Sequence, residues 1–500
     1  MGKPVFWSAD QMTKLKKLLE VLPDKEISGD INCNINKLEY DSRKIEKEDL
    51  FFAMSGFEQD GHEYIISAIQ KGAIACILEK KGDYPLKAQV KVKDSREALS
   101  LISALYYDYP SSKLKVVGVT GTNGKTTITY MLKAIWEKDA EKTGLIGTVA
   151  YYEGDKKIPA VNTTPESLDL QRMFCEMLKQ KVSSVAMEVS SHSLVLNRVK
   201  MVDFDVAVFS NLNPEHLDFH KDMKSYREAK GILFQNLKDD SYAVINLDDP
   251  EWEYFYNVSK GVRLTYSLKN KEADFYVKTC SQTGSGFKLE LVTPAGDLDI
   301  NLKVLGDVNI YNALAAVASA FVTGTSLSKI KTGLESFSGV PGRLEQVESG
   351  QNFKVIIDYA HTPFAFENLL RTVRKITKGK IIFLFGCGGD RDRTKREPMG
   401  RIASNLADFV ILTTDNPRSE DPKEIIEEIL KGISDRSKVE IILDRKEAII
   451  SALRRAKEND TVVLAGKGHE DYQIIGKEKL HFSEREIVEE ELRMLKCSKA

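Results

Sequence analysis

Gly118-Val-Thr-Gly-Thr-Asn-Gly-Lys-Thr-Thr127 decides how this chain is read. It follows directly on an apolar run, Val116-Val-Gly-Val119, which predicts a strand. It precedes a segment with apolar residues at 128, 131, 132, 135 and 136, the spacing of one helical face. Strand, glycine-rich turn and helix N-terminus in that order form an anion cradle. The glycines let backbone N–H groups turn inward around phosphate oxygens, and the helix end adds favourable partial charge. Lys125 is then placed to reach the β- and γ-phosphates, and the Thr126 hydroxyl to bind Mg²⁺. The loop is a variant: the pattern G-x-x-x-x-G-K-[ST] needs Gly at 119, where this chain has Val. The loop by itself does not distinguish adenine from guanine.

Around this loop the chain has ordinary globular composition. Its 500 residues are 42% hydrophobic and 29% charged, which speaks against disordered and fibrous folds. Lys+Arg 72 against Asp+Glu 74 leaves a net charge of −2, and no long basic run stands out, so no nucleic-acid partner is expected. The N-terminal stretch is broken by charges and lacks a signal-peptide core, and no apolar run reaches the ~20 residues needed to cross a bilayer. Six cysteines lie far apart without a C-x-x-C pair, which fits a reducing compartment and no disulfide or zinc framework. These features predict a cytoplasmic protein without a membrane partner. Turn formers at Tyr109–Lys113 and Gly339–Gly342 divide it into segments 1–112, 113–340 and 341–500.

The last segment reads as α/β. Apolar runs at Val355–Ile357, Ile381–Phe385, Phe409–Leu412, Ile441–Leu443 and Val462–Leu464 predict buried strands. Amphipathic stretches such as Lys423–Ile433 and Lys446–Ala456 alternate with them, the pattern of a parallel sheet with helices on both faces. Ligands on such sheets sit beyond the carboxyl ends of the strands. Polar clusters fall there: Asp358-Tyr-Ala-His361, Gly386-Cys-Gly-Gly-Asp-Arg391, Asp415-Asn-Pro-Arg418 and Gly466-Lys-Gly-His-Glu470.

Two further stretches belong with the phosphate loop. Val185-Ala-Met-Glu188 predicts a strand ending in a carboxylate, the placement of a residue beside a P-loop metal. Asn211-Leu-Asn-Pro-Glu-His-Leu-Asp-Phe-His220 holds two histidines four apart, a spacing that invites a zinc reading. No H-E-x-x-H pattern accompanies them, and a nucleotide site more often uses Mg²⁺ with oxygen ligands.

Taken together, Gly121–Thr127, Asn162-Thr-Thr-Pro165, Glu188-Val-Ser-Ser-His192 and His216-Leu-Asp-Phe-His220 closely resemble the motifs of the Mur ligases. Gly342-Arg-Leu-Glu345, Asp358–Pro363, Asp415–Arg418 and Gly466–Glu470 extend the resemblance in colinear order over most of the chain. It looks most like the branch that adds the third residue of the peptidoglycan stem peptide. The resemblance implies three domains: an N-terminal α/β domain for the UDP end of the substrate, a central P-loop ATPase with a parallel sheet, and a C-terminal Rossmann-like domain for the incoming amino acid. It implies ATP and Mg²⁺, a bacterial cytoplasmic setting, a monomer, and phosphorylation of the D-Glu γ-carboxylate of UDP-MurNAc-L-Ala-D-Glu followed by attack of an amine.

Residue by residue, the resemblance assigns Gly121, Thr122, Asn123, Gly124, Lys125, Thr126 and Thr127 to ATP, with Asn309 toward adenine. Thr126, Glu188, His216 and Lys230 fall at metal-site positions, Lys230 as an N-carboxylated carbamate, and Lys125, Glu188, His216 and Lys230 are the expected catalytic set. Ser42, Phe57, Glu58, Gln59, Asn162, Thr163, Thr164, Ser190 and Arg198 match positions for the UDP-sugar peptide. Two positions depart from the pattern: Leu196 stands where several relatives have Gln, and Glu215 where relatives often have Asp.

Arg391, Asp415, Asn416, Pro417, Arg418, Gly466 and Glu470 match the amino-acid site. An Arg fork pairs bidentately with a carboxylate, so Arg418 suits meso-diaminopimelate, whose far end carries the carboxylate that L-lysine lacks. Glu470 suits the distal ammonium. The other readings are the same reaction with L-lysine, a folylpolyglutamate synthetase-like ligase, and a P-loop regulatory ATPase that binds nucleotide without amino-acid-dependent turnover.

Overall fold

A computed structural model describes residues 13–56, 59–139, 141–283 and 286–497. They divide into two compact units, one drawn from Met1–Lys278, Leu291–Leu298 and Tyr311–Leu334, the other from Thr279–Glu290, Asp299–Ile310 and Glu335–Ala500. Phe57 and Glu58 lie outside the described residues.

The first unit begins with a five-stranded sheet of β1 (Glu26–Gly29), β2 (Leu38–Glu39), β3 (Leu50–Phe52), β4 (Ala75–Leu78) and β5 (Ala88–Lys91), in the order β1-β5-β4-β3-β2. Only the β1–β5 pair is antiparallel. Helix α1 (Ser95–Tyr106) starts where the Asp94 carboxylate accepts the backbone N–H groups of Arg96 and Glu97, an N-cap that satisfies two otherwise unpaired donors.

A larger sheet follows. Eight of its eleven strands are β6 (Lys115–Thr120), β7 (Thr143–Ile146), β8 (Ala150–Glu153), β9 (Lys156–Pro159), β10 (Ser184–Glu188), β11 (Val206–Phe209), β12 (Tyr242–Asn246) and β13 (Val262–Ser267); the strands Phe275–Gln282, Phe287–Thr293 and Gly296–Leu302 continue it beyond β13. These eight run in the order β9-β8-β7-β10-β6-β11-β12-β13. From β7 to β13 every pairing is parallel, and β6, β10 and β11 are apolar and buried almost throughout, as strands covered on both faces must be. Helix α2 (Lys125–Lys138) buries Ile128, Met131, Leu132, Ile135 and Trp136, the five positions its periodicity marks. At about 1.5–3 kcal/mol for each buried large side chain, that face holds the helix on the sheet.

Helix α3 (Ser167–Lys179) packs beside α1, and polar pairs join the two parts of this unit. The Tyr40 hydroxyl donates to Asp169 at 2.6 Å, the Asn197 amide to Asp94 at 3.1 Å, and Arg96 to Glu166 at 3.1 Å. Helices α4 (Ser191–Val195), α5 (Leu217–His220) and α6 (Met223–Gln235) lie beyond the carboxyl ends of β10 and β11 in the chain.

In the second unit β14 (Glu345–Gln346) pairs antiparallel with β15 (Lys354–Asp358). Then come α7 (Pro363–Ile376), β16 (Ile381–Phe385), α8 (Arg396–Leu406), β17 (Phe409–Leu412), α9 (Pro422–Leu430), β18 (Val439–Ile441), α10 (Arg445–Arg455) and β19 (Thr461–Ala465). The sheet order is β14-β15-β19-β16-β17-β18, all parallel after the first pair. Two apolar clusters cover its two faces. A hairpin of β20 (Tyr472–Ile475) and β21 (Glu478–His481) precedes the last helix, α11 (Glu484–Cys497).

One strand differs from expectation. The buried strand expected at Ile441–Leu443 is found at Val439–Ile441, with Ile441 49% and Leu443 38% exposed. It is the edge of the sheet, where no further strand covers it, so an apolar run there does not imply burial on both faces.

Candidate active site

The phosphate loop is held open by close backbone approaches that only glycine permits. Gly121 has φ +143° and Gly124 φ +90°; a Cβ would lie 2.0 Å from Ser210 Oγ at the first and 2.4 Å from Asn312 Oδ1 at the second. The segment after β11 braces the loop from outside. Thr122 N–H donates to Asn211 O at 2.8 Å, Asn123 N–H to Asn211 Oδ1 at 2.9 Å, and Ser210 Oγ to Asn123 O at 2.6 Å. Sequence reasoning assigned no role to Ser210 or Asn211 themselves; Ser210 directly follows an apolar strand, and Asn211 opens the stretch singled out for its histidines. Lys125 Nζ folds back over the loop, donating to Gly121 O and Thr122 O at 2.8 Å each. Thr126 is buried in the first turn of α2, no side chain caps that helix, and its N-terminal end carries the partial positive charge that favours an anion.

Lys230, on α6, reaches the same loop. It is 1% exposed, its Nζ donates to Gly121 O at 2.9 Å, and it lies 4.4 Å from the centre of the Tyr226 ring. Burial, with Lys125 adding and Glu215 opposing, holds its amine well below the ordinary lysine value. The neutral amine is the form that adds CO₂.

Glu188 ends β10 one strand away from the loop, in register with Val119. Its Oε1 accepts the Thr148 N–H at 2.8 Å and its Oε2 the Thr148 hydroxyl at 3.1 Å, which orients the carboxylate. A Cβ on Gly147 would come within 2.4 Å of Oε1, so glycine is required to admit the carboxylate there. His216 adopts the left-handed conformation at φ 57° and caps α5. Burial holds its imidazole below the usual value; Glu215 opposes, and Lys125 and Lys230 add to the depression. Its ring lies 4.9 Å from that of His192, while His220 turns away to meet Ser191 Oγ at 2.9 Å. The oriented carboxylate, the Thr126 hydroxyl and a neutral imidazole are a donor set that fits Mg²⁺. Among the described residues, no three His, Cys, Asp or Glu side chains converge as a metal-binding group.

Four of the nine expected substrate positions, Thr163, Thr164, Ser190 and Arg198, form a chain of hydrogen bonds beside Glu188 and Thr148. Thr163 and Thr148 hydroxyls are 3.1 Å apart, the Thr164 hydroxyl donates to Glu188 O at 2.8 Å, and Ser190 N–H donates back to it at 3.2 Å. Arg198 donates to Thr164 O at 3.1 Å and pairs with Glu166 at 2.8 Å, the same carboxylate that holds Arg96. Asn162 is exposed and only its backbone is tied down, by the Tyr151 hydroxyl. Ser42 is buried in the short helical turn after Asp41, and Gln59 accepts from the Tyr64 hydroxyl at 3.3 Å. Leu196 closes α4, its N–H bonded to His192 O.

The second unit carries the remaining positions. Asn309 donates through its amide to Leu305 O at 2.6 Å. Arg418 has φ 52° and donates to Gly389 O at 2.7 Å; its N–H reaches Ile474 O at 3.2 Å. The Glu420 carboxylate pairs with Arg393 and Arg396. Asn416 donates to Glu470 Oε2 at 2.9 Å, and burial raises the Glu470 carboxyl above its usual value against Lys467 and Asn416. A Cβ on Gly466 would sit 2.9 Å from Asp415 Oδ2, and one on Gly389 would sit 1.9 Å from Pro417 O, so two glycines admit this loop. Arg391 is exposed and bonds its neighbour's carbonyl. Five of the seven expected residues, Asp415, Asn416, Pro417, Arg418 and Glu470, are thus joined through one loop. Sequence reasoning missed what supports it: Arg396 donating to Gly388 O at 3.1 Å, and the fully buried Arg445–Glu484 pair at 2.8 Å.

Known proteins place this architecture. The chain belongs to the Mur ligase family: residues 34–107 match the Mur ligase family catalytic domain, 119–320 the Mur ligase middle domain, and 342–468 the glutamate ligase domain. Curated relatives from Clostridium acetobutylicum and Clostridium botulinum are each named UDP-N-acetylmuramoyl-L-alanyl-D-glutamate--2,6-diaminopimelate ligase. Both are 46% identical, over 96% and 91% of this chain and 100% and 95% of their own. A solved structure of a ligase of that name is 30% identical with a TM-score of 0.69, covering 97% of this chain and all of the other. A folylpolyglutamate synthase from Mycobacterium tuberculosis shares the fold at 19% identity and a TM-score of 0.60 over 74% of this chain.

Proposed function

We propose that this chain joins an amino group of meso-diaminopimelate to the D-Glu γ-carboxylate of UDP-MurNAc-L-Ala-D-Glu, converting ATP to ADP and phosphate, in bacterial peptidoglycan precursor synthesis. The observation that carries this reading is that one unit holds a phosphate loop beside an oriented carboxylate and the other unit holds an Arg418–Asn416–Glu470 constellation.

The γ-carboxylate attacks the γ-phosphorus of ATP, ADP leaves, and an acyl phosphate forms. The amine then attacks the acyl carbon, phosphate leaves, and the nitrogen loses its proton. Carboxylate and γ-phosphate repel, so the site must place positive charge and fixed donors where negative charge gathers. Lys125 and the first N–H groups of α2 provide these on the phosphate side. Glu188, Thr126 and His216 would hold Mg²⁺, which supplies Lewis-acid neutralisation of the phosphate oxygens. Lys230, as a carbamate, would add an anionic oxygen donor set beside Gly121. Thr163, Thr164, Ser190 and Arg198 orient the peptide end of the substrate. Arg418 receives the distal carboxylate and Glu470 the distal ammonium.

Phosphate release with ATP, Mg²⁺ and UDP-MurNAc-L-Ala-D-Glu tests the reading. Release that depends on meso-diaminopimelate is expected; release with L-lysine instead would overturn the role of Arg418, and none with either would overturn the ligase assignment.

A further inference from the structure

Within Gly466-Lys-Gly-His-Glu470 the lysine sits where lysine side chains rarely do: Lys467 is 0% exposed. Its Nζ donates to Asn416 Oδ1 at 3.0 Å and to Tyr472 O at 2.7 Å, and Glu470 Oε2 lies 3.6 Å away. An ammonium has three donors. Two hydrogen bonds take two of them, the third side of the ammonium faces the Glu470 carboxylate as an ion pair, and the group is fully enclosed, so Lys467 reaches a ligand only through other groups.

Those groups are the ones proposed to grip the amino acid. Asn416 Oδ1 accepts from Ile474 N–H at 2.9 Å as well as from Lys467. Two donors on one oxygen fix which way the amide faces, because a flipped amide would set its NH₂ against both. Nδ2 is thereby turned to Glu470 Oε2. The carbonyl of the same Ile474 accepts the Arg418 N–H, and Gly476 N–H donates to Arg418 O at 2.9 Å. The β20–β21 hairpin therefore links the backbone of Arg418 to the side chain that orients Glu470, and Lys467 pins the hairpin at Tyr472.

We propose that Lys467 is a positioning residue for amino-acid selection: by fixing the Asn416 amide and the Tyr472 carbonyl, it sets the spacing between the Glu470 carboxylate and the Arg418 guanidinium. The proposal rests on the functional reading above. A buried ion whose contacts go to Asn416, Glu470 and the hairpin backbone, and none outward, holds geometry rather than performing chemistry.

The test is steady-state phosphate release by Lys467→Met, with KM measured for each substrate. The expected result is a KM for meso-diaminopimelate raised by about 10-fold or more, with the KM values for ATP and the UDP-dipeptide unchanged within about twofold. Preference over L-lysine narrows. In a Glu470→Gln background, Lys467→Met adds little further, because the two act as one unit. If Lys467→Met does not fold, Lys467→Gln, which keeps a donor in the enclosure but not the charge or the reach to Tyr472 O, carries the same expectation. A uniform change in all three KM values, no change, or full additivity with Glu470→Gln would overturn the proposal. No release by the wild-type chain with either amino acid would overturn the functional reading and this inference with it.

Discussion

The amine nitrogen of Lys230 lies 2.9 Å from the carbonyl oxygen of Gly121, so a fully buried lysine is fastened to the first turn of the phosphate loop. Its native amine is held well below the 10.5 of an ordinary lysine, while the unfolded chain keeps the ordinary value. Between those two values the unfolded state binds more protons, so stability rises with pH across that window. In CO₂-free buffer, Lys230→Met should lose this slope and be more stable than wild type at neutral pH, read by urea unfolding. Its ligase activity should fall by at least about 100-fold. Lys230→Ala should recover part of its activity with added short carboxylates; full activity in the variant would exclude a carbamate.

Glu188→Gln keeps the size of the side chain and its approach to Gly147 but removes the charge. Turnover is expected to fall on the order of 100-fold, and the Mg²⁺ concentration for half-maximal rate to rise. Thr148→Val, which deletes one of the two donors orienting that carboxylate, should produce a milder version of the same change, about 10-fold. An unchanged Mg²⁺ dependence in both variants would remove Glu188 from the metal site.

Arg418→Met leaves a distal carboxylate without its fork. The KM for meso-diaminopimelate should rise by about 100-fold while that for L-lysine barely moves, narrowing the preference between them. Competition between the two amino acids in one assay reads this ratio directly.

Arg396 and Glu420 support the same loop from behind, both nearly buried. The Arg396 hydrogen bonds hold the Glu420 carboxyl at about 2, below its ordinary 4.5, against the cost of burial. A depressed carboxyl stabilises the native state fully above its unfolded value and loses that contribution as pH falls toward the native one. Glu420→Gln should therefore cost about 3 kcal/mol near neutral pH, and the difference from wild type should shrink as pH is lowered through about 4.5 toward about 2. A difference that does not change with pH would mean that the pair contributes packing alone.

Much of the site was legible because its signals are local. Gly121, Gly124 and Lys125 carry a loop whose conformation depends on residues beside it in the chain, and Glu188 ends an apolar run. The α2 core positions followed from period alone. The β18 edge strand was misread because burial depends on what lies beside a strand, which periodicity does not contain. The roles of Thr148, Ser210 and Lys467 were illegible for a related reason: each acts on a partner 40, 87 or 51 residues away.

The sequence by itself determined the α/β class, the phosphate loop and the ordered motifs of the Mur ligases, since each is written in short-range spacing. Tertiary structure alone decided which way those groups face. The Glu188 carboxylate is turned by Thr148, the Asn416 amide by Lys467 and Ile474, and the Lys230 amine is depressed by enclosure. Orientation and desolvation arise from atoms brought together by folding, and no spacing along the chain encodes them.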